Sequence, residues 1–436
     1  MADGMTRAAW RMILLASLGG TLEYYDFVIF GIFAREIGQA FFPTRDPLVS
    51  LMVAFTTFAV GYLARPVGGI VLGRLGDKFG RRGVFLASIF VTSAATLGIG
   101  VVPTYASWGV TASVLVVLLR LAQGFCLGGE LPGAITYVVE SAPRMAPFVC
   151  GLVFSFVTAG VALGTMIALV VGRVLSQADA VLYGWRIAFV AGGVMGLASF
   201  WLRRSFEESP EFLELKRLAA ASKQPIGELV RTHPSQLVAG IAGQAATACF
   251  AGLFFAHMPA YLTGVVKYDG ATAVFAQTYG VILHAALILA AGWLANRYAP
   301  HMLLRIGALL LAAGAYPFYA ALSDHSVNIM VLMTLGAMAG ALVNGTFAFV
   351  TADLFPTRIR FSGVAVVQNI SQTAFGGTAP LIATALIRNM QMPVAPAFYV
   401  IACGVITFIG SFAVGRYGGR VAGPARAGPY VPIAAG

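Results

Sequence analysis

Glu23 and Asp26 lie three residues apart in an otherwise apolar run, and Arg65, Arg120 and Glu130 occupy similar runs downstream. Carboxylates at that spacing share one helix face, and like charges held close in low dielectric resist double ionisation. Inserting an Asp, Lys or Arg at mid-membrane costs roughly 2.5 to 3.5 kcal/mol, so five such groups cost on the order of 15 kcal/mol before pairing. A cost of that size points to charge handling. Three acids stand against two arginines, so two acids can pair with Arg65 and Arg120 and leave one to bind and release a proton. Asp26 is the preferred carrier, followed by Glu130, with Glu23 as the like-charged neighbour. A static ion-pair network that only orients helices is the competing reading. The corresponding spans of the second half read as free of ionisable groups.

The two arginines either bind an anionic substrate bidentately or serve only as partners to the acids, and the second role is favoured. Tyr24, Tyr25 and Gln123 stand beside these charges and either shape a substrate cavity or pack. The second half offers neutral polar groups within apolar spans: Gln244, His257, His284, Asn344, Gln368, Asn369 and Gln372. Hydrogen bonding between helices is the default for each, and Asn344, Gln368 and Asn369 are the candidates for substrate contact. His257 precedes Met258-Pro259 and reads as a packed neutral histidine at a break in its span.

Positioning these groups takes membrane-spanning helices. Charged residues are 10% of 436, apolar residues 59%, and mean hydropathy is +0.84. About 20 apolar residues cross a bilayer as a helix. Twelve such runs fall near 12–34, 49–71, 83–102, 112–139, 147–171, 185–202, 236–262, 271–294, 303–322, 327–350, 362–386 and 395–415. The fourth is long and interrupted by Pro132. The chain is therefore read as an all-α polytopic membrane protein.

The net charge of +11 does not indicate nucleic acid. With the N-terminus inside, Lys and Arg sort as about 20 in cytoplasmic segments, about 6 outside and about 2 buried, which is the positive-inside pattern. Clusters such as Arg74, Lys78, Arg81 and Arg82 lie where they meet anionic lipid. Four cysteines, Cys126, Cys150, Cys249 and Cys403, fall in or at the edge of spans and read as packing residues, with no disulfide framework. Arg7 and Arg11 before an apolar run mimic a signal peptide, but the run is long and carries Glu23 and Asp26, so it reads as a retained first span. No G-x-S-x-G, H-E-x-x-H or P-loop pattern supports an enzyme, and no metal or cofactor site is expected.

Residues 1–203 and 235–436 form two six-span units, joined by a polar linker at 204–234. Within it Ser209, Pro210 and Glu211 suit a helix start, and Phe212, Leu215 and Leu218 recur at helical spacing, so 210–220 is expected as a surface amphipathic helix. The halves echo each other. GRLGDKFGRR at 73–82 aligns with GWLANRYAPH at 292–301, matching Gly73 to Gly292, Leu75 to Leu294 and Lys78 to Arg297. Glu140, Pro143 and Arg144 likewise resemble Asp353, Pro356 and Arg358. A duplicated six-helix unit with a substrate site between halves accounts for both.

The first of these loops resembles the signature G-x-L-x-D-[KR]-x-G-R-[RK] of the major facilitator superfamily. GTLEYYDFVIFG at 20–31, ARPVGG at 64–69, RLAQGFCLGGE at 120–130, GWRIAF at 184–189, LRRSFEESPEF at 202–212, MPAYL at 258–262, FPTRIRFSG at 355–363 and FGGTAPLIATALI at 375–387 narrow the resemblance to its metabolite–proton symporter family. That family includes permeases for proline and betaine, α-ketoglutarate, shikimate and citrate. The resemblance implies the major facilitator fold, twelve helices in two pseudo-symmetric bundles. It also implies a cytoplasmic gate at Gly73, Asp77, Gly80, Arg81 and Arg82 that steadies the outward-open state. In the second copy Asn296 replaces the aspartate, and Ala299 and Pro300 replace Gly and Arg, so a latch there is expected to be weaker.

The expected function is proton-coupled symport of a small polar organic ion by alternating access. A carboxylate metabolite such as citrate or α-ketoglutarate is the leading substrate, and a zwitterionic osmolyte is the alternative. Proton-coupled efflux is the second hypothesis, which TAGVALG at 158–164, lacking the Gly-Pro of antiporters, disfavours. A monomer in the inner membrane with both termini cytoplasmic completes the expectation, with H⁺, a small-molecule substrate and the lipid bilayer as its partners.

Overall fold

The computed structural model describes residues 7–79, 81–176, 179–205 and 226–421. The long helices are α1 (Arg7–Ile32), α2 (Pro47–Phe79), α3 (Arg81–Val101), α4 (Val110–Ser141), α5 (Ala146–Val174) and α6 (Trp185–Ser205), then α7 (Pro234–Val265), α8 (Gly270–Ala295), α9 (Pro300–Asp324), α10 (Ile329–Asp353), α11 (Thr357–Met390) and α12 (Pro396–Tyr417). Ten are long and apolar enough to cross a membrane, and Leu86–Val101 of α3 is a shorter apolar helix. The 26-residue α1 has the length. The expected amphipathic helix at 210–220 lies outside the described residues.

The duplication read from the sequence reappears as packing. Helix α2 lies on α4 and α3 on α6, and in the second half α8 lies on α10 and α9 on α12. The halves meet chiefly along α5 and α8, with further contact of α1 on α7 and of α2 and α4 on α11. Small residues permit this. Gly151 of α5 and Gly292 of α8 face each other so closely that a Cβ on Gly151 would stand 3.0 Å from the other's Cα, and Ser155 Oγ donates to the Ala285 carbonyl at 2.8 Å.

Glycine also brings α2 and α4 into backbone contact. A Cβ on Gly124 would collide with the Gly61 carbonyl, one on Gly68 with the Phe125 carbonyl, and one on Gly128 with the Arg65 carbonyl. The glycines of ARPVGG and RLAQGFCLGGE are thus the surface on which Arg65 and Arg120 are held in register.

The interruption of α4 falls at Leu127–Gly129, between Val110–Cys126 and Glu130–Ser141, not at Pro132 as expected. Pro132 sits in the first turn of the second segment, where its missing N–H would have had no intrahelical acceptor. The break after His257 is a change of winding. Ala251–His257 and Tyr261–Val265 are wide π-turns flanking Met258–Ala260, and α11 has another at Gln372–Gly377. Such turns gather at functional sites.

The second half also contains a charge that the sequence reading passed over. Arg305 of α9 donates Nε to Ser411 Oγ at 3.0 Å and stands 3.7 Å over Phe412. One hydrogen bond and an aromatic face accommodate it, and among the described residues no carboxylate pairs with it.

Candidate functional site

Asp26 is buried on α1 with 4% of its surface exposed. It faces α3 and α6 inside the first bundle rather than the seam between halves. A Cβ on Gly192 of α6 would stand 2.7 Å from Asp26 Oδ1, and Thr96 of α3 lies beside the carboxyl. A cavity of about 40 Å³ opens here, lined by Asp26, Thr92, Ser93, Gly196 and Ser199 among others. That is room for a water molecule. Among the described residues no cation forms an ion pair with Asp26. The side chains of Glu23 and Glu130, and those of Gly73, Asp77, Gly80, Arg81 and Arg82 in the signature loop, lie outside the described ones.

Arg120 is fully buried. Its polar partners are neutral: Nη1 donates to Gln123 Oε1 at 2.8 Å, and Nη1 and Nη2 reach the Phe27 carbonyl at 3.3 and 3.4 Å. Gln123 in turn donates Nε2 to Thr96 Oγ1 at 2.7 Å, and Thr96 donates to the Thr92 carbonyl at 2.9 Å. A run of side chains thus links Asp26, Thr96, Gln123 and Arg120. Among the described residues an amide and a carbonyl take the guanidinium, and the side chains of the expected acid partners Glu23 and Glu130 lie outside them. Gln123 is a member of this run and not a free cavity wall.

Aromatic rings supply the rest of the environment. The Arg120 guanidinium lies 4.4 Å from the centroids of both Phe27 and Phe30, and the Arg65 guanidinium lies 4.2 Å from those of Phe27 and Tyr62. Two cations therefore share the Phe27 ring. The Nε of each is buried without a hydrogen-bond partner. Tyr24 sits beside Tyr62 and Arg65. Tyr25 points elsewhere, donating to the Ala188 carbonyl of α6 at 2.8 Å, so it packs while Tyr24 borders the site.

Helix α11 closes on this cluster through two carbonyls released by helix irregularities. Pro66 has no N–H to offer the Tyr62 carbonyl one turn before it, and Thr373 Oγ1 of α11 donates to that oxygen at 2.9 Å. At the interruption of α4 the Gly128 carbonyl accepts from Asn369 Nδ2 at 2.8 Å. Asn369, a candidate for substrate contact, is thereby engaged across the seam. Asn344, a second candidate, reaches His284 Nε2 at 3.1 Å, while His284 Nδ1 stands 3.0 Å from the Ala337 carbonyl. Of the three candidates only Gln368 keeps a buried, unpaired polar atom, its Oε1. His257 is buried with neither ring nitrogen bonded and packs on Phe55 of α2.

A polar latch fastens the halves at one end. Arg360 Nη1 meets Glu140 Oε1 at 3.0 Å, while the Arg360 Nε donates to the carbonyls of Ala352 and Phe355 and Nη2 to that of Arg420. Asp353 accepts from the backbone N–H of Gly419 and Val421 at 2.8 and 2.9 Å. Arg360 is the cation that matters here, whereas the repeat alignment had pointed to Arg358, which is exposed. In the second signature copy Asn296 Oδ1 accepts from the Phe148 N–H at 3.3 Å, at the start of α5. This is a neutral, long hydrogen bond at a helix N-terminus. At the opposite end the closure is apolar: Leu51, Ala54 and Phe55 of α2 meet Ala260 of α7, and Gly31 of α1 fits against Ala256.

The four cysteines are buried thiols, and among the described residues no cluster of His, Cys, Asp or Glu could hold a metal ion.

Comparison with known proteins agrees with this architecture. The description Major Facilitator Superfamily matches residues 16–380. A proline/betaine transporter of Salmonella typhimurium is 31% identical over 428 residues, covering 93% of this chain and 83% of that protein. A glycine betaine/proline/ectoine/pipecolic acid transporter of Dickeya dadantii is 31% identical over 425 residues, covering 93% and 82%. Among solved structures, a proton:xylose symporter superposes with a TM-score of 0.74 at 15% identity, covering 94% of this chain and 95% of that one. That last likeness is one of fold.

Proposed function

This chain belongs to the major facilitator superfamily, and we propose that it is a proton-coupled symporter that takes up a small zwitterionic osmolyte of the proline and betaine kind. The carboxylate metabolite expected from the sequence gives way to the alternative, because the relatives that match nearly the whole chain are named for zwitterions. The observation that carries the coupling is the run from Asp26 through Thr96 and Gln123 to Arg120. Asp26 is the proton carrier and Arg120, with Arg65, receives the carboxylate end of the substrate.

The chemistry follows from charge. An ionised Asp26 holds a negative charge at one end of the run and draws the hydroxyl of Thr96. Protonation removes that charge, Thr96 settles on the Thr92 carbonyl, and Gln123 and the guanidinium it carries are free to re-aim. Substrate and proton bind together, the halves rock about the α5–α8 seam, and the latch between Glu140 and Arg360 opens when the site faces the cytoplasm. The protein works as a monomer in the inner membrane with both termini cytoplasmic, an orientation that the Lys and Arg distribution supports.

Uptake into vesicles with an imposed inward proton gradient tests this reading. Accumulation of labelled glycine betaine or proline is expected. Expulsion under the same gradient supports the exchanger reading, and absence of flux rejects transport of this substrate class.

A further inference from the structure

Among the described residues several buried polar atoms lack a hydrogen-bond partner, the ring nitrogens of His257, the Tyr268 hydroxyl and the Gln277 amide oxygen among them. In the first half they are the N–H donors of Arg65 and Arg120. In the second half α7 and α11 contribute the amide oxygens of Gln244, Gln368 and Gln372 and the hydroxyl of Thr247. Each of these four residues is at least nine-tenths buried. Leaving a buried acceptor unpaired costs about 1 to 3 kcal/mol, so several together call for an explanation.

The orientation of one amide is fixed by its neighbours. Thr351 Oγ1 donates to the Phe347 carbonyl at 2.8 Å and must therefore accept from Gln244 Nε2, at 2.7 Å. The oxygen of Gln244 is left over. Gln368 and Gln372 lie one turn apart on α11, and each directly precedes a residue that bonds across the seam, Asn369 or Thr373. The two residues flank the stripe of α11 that meets Tyr62 and Gly128, and the Gln372 oxygen lies over Gly376, near the Ala248 carbonyl of α7. The nearby histidine adds no positive charge: the Ala337 carbonyl holds a proton on His284 Nδ1, and Asn344 donates to Nε2.

We propose that the amide oxygens of Gln368, Gln372 and Gln244, with Thr247, form the subsite for the cationic end of the substrate and set its specificity for zwitterions over plain carboxylates. The inference rests on the symport reading above and extends it from the anionic end of the substrate to the other. Neutral oxygens suit an ammonium whose own carboxylate already balances the arginines, since a full carboxylate at this place would compete for them. The substrate then lies across the seam, its carboxylate on the first half and its ammonium on the second.

Binding to the purified full-length protein tests it with two probes of one shape. Glycine betaine carries the cation, and 3,3-dimethylbutanoate replaces its nitrogen with carbon. Gln368→Met and Gln372→Met are expected to weaken glycine betaine about tenfold and to change 3,3-dimethylbutanoate less than twofold. Neither should lower the melting temperature, because the oxygen removed makes no hydrogen bond. Gln372→Glu is expected to admit choline as a competitor. Equal weakening of both probes, or no weakening of glycine betaine, overturns the subsite. Wild-type protein that binds neither glycine betaine nor proline overturns the symport reading, and this inference with it.

Discussion

Gln123 joins two charged groups that never touch. Its amide donates from Nε2 to Thr96, beside Asp26, and accepts at Oε1 from Arg120. Gln123→Leu removes both bonds and leaves a buried guanidinium short of an acceptor, at a cost of about 1 to 3 kcal/mol. The expected result is a lower melting temperature together with substrate affinity that no longer varies with pH, read by binding titrations at several pH values. Affinity that keeps its pH dependence contradicts the role. Asp26 and Arg120 were legible in the sequence because ionisable groups are rare in apolar spans. Thr96 was not, since a hydroxyl in such a span usually bonds its own helix, as Thr57 does to Val53, and carries no charge to mark it. Arg360 was hidden by Arg358, an equally cationic neighbour. Only the fold buries one and exposes the other.

At the scale of elements, helix irregularities do the joining. Pro66 frees the Tyr62 carbonyl, and Thr373 takes it from the other half. Thr373→Val leaves that carbonyl unpaired and is expected to weaken closure by about 1 kcal/mol. Cysteine-accessibility rates along α11 should rise about fivefold, and unchanged rates would tell against the bond. The short helix Ala34–Phe41 between α1 and α2 adds a pH dependence of its own. Burial holds the Glu36 carboxyl above its ordinary 4.5. The folded chain then keeps a proton that the unfolded chain has lost, so stability falls as pH rises from that value through the raised one. Glu36→Gln should flatten melting temperature across this window, and an unaltered slope would show the dependence lies elsewhere. The ten spans long and apolar enough to cross a membrane were legible from hydropathy. The break in α4 was misplaced because a proline is conspicuous in sequence, whereas the glycine contacts of α4 with α2 depend on both helices at once.

Across the whole molecule, the two ends of the seam close by different physics. One end is held by the buried Arg360–Glu140 pair, and the middle of the seam by hydrogen bonds to released carbonyls. The other end is held by apolar contact between α1, α2 and α7. Breaking a buried ion pair is costly, while small apolar faces part with little directional penalty, so the halves need an added bias to open at the polar end. In the proposed mechanism, substrate on the arginines and a proton on Asp26 provide it. Repeated motifs made the two-bundle architecture legible, but not this asymmetry, since it arises where the two copies diverge. Proteoliposomes carrying Asp26→Asn, in which the side chain is permanently neutral, test the proton assignment most directly. The expected result is that exchange of labelled for unlabelled glycine betaine continues, while accumulation driven by an inward proton gradient is lost. Accumulation at the wild-type level in that variant would contradict the assignment of the proton to Asp26.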